Sequence, residues 1–223
     1  MNKQPAPVSA TWQLSATTAK FHTSQLSGQI DLQNPLRGLH KLTCGVTAVE
    51  GSVLGVATSG TSVGEEASVE EAFVRGDDLV ATYRAAGKQP FSLQVYWTVV
   101  QHKKSVVIDV LLSLETTLLE SFPEVIMKSE LQRVEVLPPQ QGREFLVLRS
   151  VDKDWSYAEM AHPQDSGNLR IDEKGAVRRT LGGTFLEKGV VHRLRFRGFS
   201  CPEPTISSLP QSAWRNFPQK LHP

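Results

Sequence analysis

Residues 91–115, FSLQVYWTVV-QHKK-SVVIDVLLSLE, constrain the fold more tightly than any other stretch. Leu93, Val95, Trp97 and Val99 alternate with Gln94, Tyr96 and Thr98, and after QHKK the residues Val106, Ile108, Val110, Leu112 and Leu114 form a second unbroken apolar row. Side chains on a strand point to opposite faces with a period of two, so each segment reads as a strand with one face on a core. The polar connection has hairpin length, and the mixed second face suits an antiparallel sheet.

The same pattern recurs, more briefly, along the chain. Strands are expected at 27–36, 45–56, 70–83, 129–137, 144–150, 154–161 and 187–199, and a hairpin at 167–185 turns on Asp172-Glu173-Lys174-Gly175. VGEEASVEEAF (63–73) is the one stretch compatible with a short helix; no long segment repeats every 3.6 residues. Many strands, hairpin spacings and little helix indicate a mainly β protein, an antiparallel β-sandwich or related barrel. The expected organisation is one sandwich domain over 1–200, followed by a Pro-rich arm or tail at 201–223. Trp214 and Phe217 in that arm suit either anchoring against the domain or contact with a protein partner.

Charge excludes several functions. Lys+Arg total 24 against 23 Asp+Glu, a net charge of +1, so no long-range field draws the protein to nucleic acid or to an anionic membrane. No apolar run approaches the roughly 20 residues that span a bilayer, and the first residues lack the apolar core of a secretory signal. A cytoplasmic location is the expectation. Cys44 and Cys201, far apart and outside any C-x-x-C pair, read as reduced thiols. The histidines never fall at i, i+2 or i, i+4, and no phosphate-cradling or nucleophile-elbow motif occurs, so no metal or organic cofactor is expected. TSGTSVG (58–64) is a small-residue loop without the strand-to-helix context that binds phosphate.

Three segments, FSLQVYWTVVQHKKSVVIDVLLSLET, DWSYAEMAHP and GTFLEKGVVHRLRFRGF, resemble in that order the galactose mutarotase-like superfamily. The resemblance spans roughly residues 70–200 and rests on strand pattern and a few aromatic and charged positions. It implies a β-supersandwich whose concave face binds carbohydrate. Mutarotases of this kind use a histidine acid and a glutamate base there, but no histidine of this chain aligns with that pair, so no catalytic residue carries over.

The residues offer their own candidates. In WSYAEMA, Trp155, Tyr157 and Glu159 share one face, and Ser156, Ala158 and Met160 the other. With the small, apolar set turned to the core, the first set looks outward or into the concavity, where an aromatic platform beside a carboxylate suits a sugar. The plain alternative is that the aromatics cover a sheet face and that His162, before Pro163, is a loop residue. Arg193, Arg195 and Arg197 form a second row, spaced about 7 Å apart along the strand. Such a row grips carboxylate or phosphate groups, or it pairs with acidic neighbours such as Asp109, Glu115 or Glu135. Gln94 and Tyr96 are placed to line the same cleft, and Trp97 reads as core. The leading expectation is a carbohydrate-binding protein whose ligand is a sugar, with an acidic or phosphorylated one favoured if the arginines face it. Two alternatives stay open: a protein-interaction domain using a sheet edge or 201–223, and an acid–base enzyme using Glu159 or Glu187 with His162.

Overall fold

A computed structural model of the chain describes residues 7–58, 69–85, 90–137, 145–152, 154–165 and 167–202. In chain order the strands begin with β1 (Val8–Ser9), β2 (Thr11–Leu14), β3 (Thr18–His22), β4 (Leu26–Asp31), β5 (Leu39–Cys44) and β6 (Thr47–Thr58). Then come β7 (Val69–Arg75), β8 (Asp78–Tyr83), β9 (Phe91–His102), β10 (Ser105–Thr116), β11 (Glu120–Ser121), β12 (Glu124–Leu131) and β13 (Val134–Leu137). The rest are β14 (Leu146–Ser150), β15 (Trp155–Ala161), β16 (Leu169–Ile171), β17 (Val177–Gly182), β18 (Leu186–Glu187) and β19 (Val191–Pro202). The helical content among the described residues is a single 3-10 turn at Pro35–Arg37. No described helix is long and apolar enough to cross a membrane.

Two large antiparallel sheets face each other. The larger runs β13-β14-β15-β19-β10-β9-β8-β7, with β1 added against β9; the smaller runs β16-β17-β12-β6-β5-β4-β3-β2. The last strand, β19, is inserted between β10 and β15, in the interior of the larger sheet. Leu93, Val95, Trp97 and Val99 from β9, with Val106, Ile108, Val110, Leu112 and Leu114 from β10, form one wall of the core. Phe21, Ile30, Leu39, Val53, Leu54, Val56, Val125 and Met127 from the smaller sheet form the other. The mixed rows of β9 and β10 therefore lie on the outer face of the larger sheet, as the alternation requires.

Several local expectations change. QHKK shortens to a turn at Lys103-Lys104, because Lys103 adopts a left-handed φ of 54° and the strands pair up to His102 and Ser105. The stretch 129–137 is two strands. The chain leaves the smaller sheet at Leu131, reverses at Arg133 (φ 54°) and enters the larger sheet at Val134. Of the stretch compatible with a helix, 63–68 lie outside the described residues and Val69–Phe73 belong to β7. The 167–185 hairpin turns where expected, with Asp172 Oδ1 accepting the Lys174 and Ala176 amides at 2.9 Å each. The arm at 203–223, with Trp214 and Phe217, and most of the 58–64 loop also lie outside the described residues.

Candidate functional site

The two expected constellations part company. All seven residues of β15 are buried. Trp155 and Tyr157 belong to the core between the sheets, and the void beside them is only about 10 Å³, room for about one water. Their side of the strand thus faces inward, contrary to the outward orientation expected from the small size of Ser156 and Ala158. The physical reason is that both faces of β15 are covered, so size no longer tells inside from outside. Ala158 and Met160 sit in a second apolar cluster on the outer side, with Val107, Phe145, Phe199 and Cys201.

Glu159 follows Trp155 and Tyr157 inward and is 1% exposed. Ser129 on β12 donates a 2.5 Å hydrogen bond to Glu159 Oε2, and the Leu54 amide donates to Ser129 Oγ at 3.1 Å. Burial raises the carboxyl above its ordinary range, while the Ser129 bond and the charge of Arg179 on β17 partly offset this. Tyr157 is likewise pushed up, first by burial and then by the neighbouring carboxylate. Arg179 is itself buried on the inner face of the smaller sheet, opposite Met127. This polar cluster is closed to a sugar-sized molecule.

His162 follows β15 in a turn, as Pro163 suggests; its amide donates to Arg195 O at 2.9 Å and its Nδ1 accepts the Gln164 amide at 3.3 Å. Glu187 is exposed on β18, opposite Glu120 of β11. Glu159 thus lies inside the sandwich, while Glu187 is exposed on the two-stranded β11–β18 ribbon.

The arginine row does share a face with Gln94 and Tyr96. Register sets Arg197, Arg195 and Arg193 opposite Asp109, Leu111 and Ser113 on β10, which in turn oppose Thr98, Tyr96 and Gln94 on β9. Asp109 takes Arg197 bidentately, at 2.6 Å to Nε and 2.8 Å to Nη2. Arg195 is held from the other side: Asp165 Oδ2 accepts both its backbone amide (2.9 Å) and its Nε (3.0 Å). Asp109 was among the acidic partners expected from sequence. Asp165 was not, since its loop lies 30 residues upstream of Arg195; Glu115 and Glu135 instead lie opposite Val191 and Arg149. Arg193 is exposed.

The other half of the face is a chain of polar contacts. The Tyr96 hydroxyl donates to Gln94 Oε1, Gln94 Nε2 donates to Thr82 Oγ1 at 3.0 Å, and Thr98 donates to Asp78. The Arg75 guanidinium lies 5.6 Å from the Tyr96 ring centre, a cation–π contact. Tyr96, Gln94 and Thr98 are half-buried. The result is a polar sheet surface whose side chains are oriented by one another.

At one end of the molecule, around β11 and β18, apolar side chains stand in the open. Leu119 is 81% and Phe122 64% exposed, with Leu118 and Phe185 beside them. The Phe122 and Phe185 rings pack at 5.8 Å. Nothing in the sequence pattern marked these residues, which lie in short connections rather than in long alternating strands.

No family model matches the sequence, and no curated protein matches it. Solved structures do match in fold. A protein described as a putative aldose 1-epimerase from Klebsiella pneumoniae superposes with a TM-score of 0.51 at 8% identity, covering 99% of this chain and 94% of that one. A putative kojibiose phosphorylase from human microbiome gives 0.50 at 6% identity over 90% of this chain, and heparan sulfate lyase from Pedobacter heparinus 0.50 at 9% over 83%. The chain spans about a third of the length of these last two, 31% and 33%. At such identities the likeness is one of fold, the two-sheet antiparallel sandwich that this chain shares with a putative aldose 1-epimerase over nearly the whole length of both.

Proposed function

We propose that the protein binds carbohydrate on the outer face of its larger sheet, over Tyr96, Gln94, Arg193 and Arg195. The observation that carries this reading is the network on that face. Tyr96 offers an aromatic surface, and Gln94, Thr98 and Arg195 are held by neighbours, so little side-chain ordering remains when a ligand arrives. Strands lie about 4.8 Å apart, so β9 to β19 spans about 10 Å, wide enough for one or two sugar rings. With Arg197 and Arg195 each matched by an aspartate, Arg193 is the cation that turns the preference toward a sugar acid or sugar phosphate. Trp155, Tyr157 and Glu159 support the face from inside rather than touch the ligand.

Thermal unfolding against neutral sugars, uronic acids and sugar phosphates tests this. A ligand at 100 times its dissociation constant adds about 2.7 kcal/mol. For a domain of this size that is a rise of roughly 5–10 °C. The expected result is a shift with one class, lost in Tyr96→Ala and reduced in Arg193→Ala. Absence of any shift across millimolar panels rejects the reading.

The exposed Leu118, Leu119, Phe122 and Phe185 favour a second reading, a protein-interaction domain that uses this end of the sandwich. In that case Phe122→Ser abolishes partner capture and leaves every sugar response unchanged.

A further inference from the structure

Tyr96 is one member of a longer row on the outer face of the larger sheet. Register aligns Phe73 of β7, Val80 of β8, Tyr96 of β9, Leu111 of β10 and Arg195 of β19 across five neighbouring strands. The first four are apolar or aromatic, and none of them belongs to the core between the sheets. Val80 is wholly buried and is the floor of the row, whereas Phe73, Tyr96 and Leu111 are half-buried and keep part of each side chain open. Polar residues two positions away on each strand flank this stripe: Thr82, Gln94 and Ser113 on one side, Asp78, Thr98 and Asp109 on the other.

Length and chemistry together select an occupant. Strands lie about 4.8 Å apart, so the row from β7 to β19 is about 19 Å long, twice the span from β9 to β19. By the measure that puts one or two sugar rings over that shorter span, the whole row holds about three or four. A linear oligosaccharide turns the C–H faces of successive rings to an apolar stripe and its hydroxyls to both flanks, where Thr82, Gln94, Ser113 and Thr98 offer hydroxyl and amide partners. Among the described residues Ser113 and Glu71 carry no side-chain hydrogen bond or ion pair. Exposed Glu71 at β7 and exposed Arg193 at β19 end the same flank with opposite charges, so an acidic ligand group is drawn to the β19 end. A peptide fits less well. Peptides add to a sheet through strand backbone, and β8, β9, β10 and β19 are each already paired on both sides.

We infer that the ligand is a linear oligosaccharide of about three or four units that lies across the strands from β7 to β19, with Phe73 as its far contact. The inference rests on the sugar-binding reading and extends it from the rings over Tyr96 and Arg193 to a chain. It gives Phe73, Val80 and Leu111 a common role that packing between the sheets does not.

Calorimetric titration of the full chain with cello-oligosaccharides and with oligogalacturonates, each from one to six units, tests it. In one of the two series the affinity should rise about tenfold or more from the monosaccharide to the tetrasaccharide and then level off. Equal affinities for one unit and for four overturn this inference and leave the sugar-binding reading standing. No binding by any member rejects both, and binding of hexaglutamate but of no sugar overturns it in favour of a peptide. Phe73→Ala should lower the ratio of tetrasaccharide to monosaccharide affinity about threefold or more. Should that variant not fold, Phe73→Leu, which stays apolar but loses the flat ring, decides by the same ratio. An unchanged ratio in the folded variant overturns the inference.

Discussion

Arg197 and Asp109 decide whether the arginine row is there for the sheet or for a ligand, and their geometry gives a magnitude. The side chains are 7% and 16% exposed and share two hydrogen bonds, at 2.6 and 2.8 Å. Replacing one partner leaves the other as an unpaired charge in a poorly hydrated place, which costs about 3–5 kcal/mol when burial is complete. Asp109 retains some contact with water, so Arg197→Met is expected at the lower end, about 3 kcal/mol. At 2–4 °C per kcal/mol for a chain of this size, the melting temperature falls by roughly 6–12 °C. Removing both charges together, as Arg197→Met with Asp109→Leu, is expected to restore the stability to within about 1 kcal/mol of the parent, because apolar packing then replaces the pair. The assay is denaturant unfolding of the parent, both single variants and the double variant, read as a coupling energy. Single losses below about 1 kcal/mol that simply add in the double variant would refute the reasoning. Arg197 would then be a solvated cation, available to a ligand after all.

Three further outcomes follow from other positions. Burial holds Glu159 above its ordinary range, so between its unfolded and folded pKa the native state keeps a proton that the unfolded chain has lost. Its contribution to stability is present below that window and is lost as pH rises through it. In urea unfolding across pH, the difference between Glu159→Gln and the parent should therefore grow in the variant's favour with rising pH; a flat difference rejects the assignment. A Cβ on Gly198 would stand 2.6 Å from the Tyr157 hydroxyl and 3.0 Å from Leu54 Cδ1, so Gly198→Ala should cost about 1–3 kcal/mol. Tyr157→Phe in the same chain should recover part of that loss in thermal unfolding, and no recovery would put the clash elsewhere. Tyr83→Phe removes the 3.0 Å bond that the buried hydroxyl donates to Leu32 O, and should cost about 1–2 kcal/mol by denaturant unfolding.

The alternation in β9 and β10 was enough to assign every residue of the central hairpin to a face, because one face there is wholly apolar and the other is interrupted by Gln94, Thr98, Asp109 and Ser113. It failed in β15 for a physical reason. Alternation separates the two sides of a strand but does not say which side meets the core when both are covered, and Trp155 and Ala158 are equally hidden. The pairing of Arg195 with Asp165 was illegible because it joins a strand to a loop, with no periodic relation between them. The break at Gln132-Arg133 was missed since neither residue is a glycine or proline, although Arg133 takes up a left-handed conformation. The early strands β1, β2, β3 and β5 escaped notice because they are short, two to six residues each, and lean on neighbours for their pairing.

The position of β19 has a consequence for how the chain becomes a sheet at all. Among the described residues it is the last strand, and, lying between β10 and β15, it joins two halves of the larger sheet that have no other hydrogen-bonded strand pairing there. Until residues 191–202 exist, β10 and β15 both present open edges with unpaired amides and carbonyls. The pairing of Val106 with Ser200 also closes a loop of about 95 residues, a slow step by the measure of sequence separation. A chain emerging from its N-terminus therefore carries an open β10 edge once Thr116 is made, and a second at β15 once Ala161 is made, until β19 follows. A truncation that stops before Val191 should not give a smaller version of this protein, but one that pairs with other copies of itself.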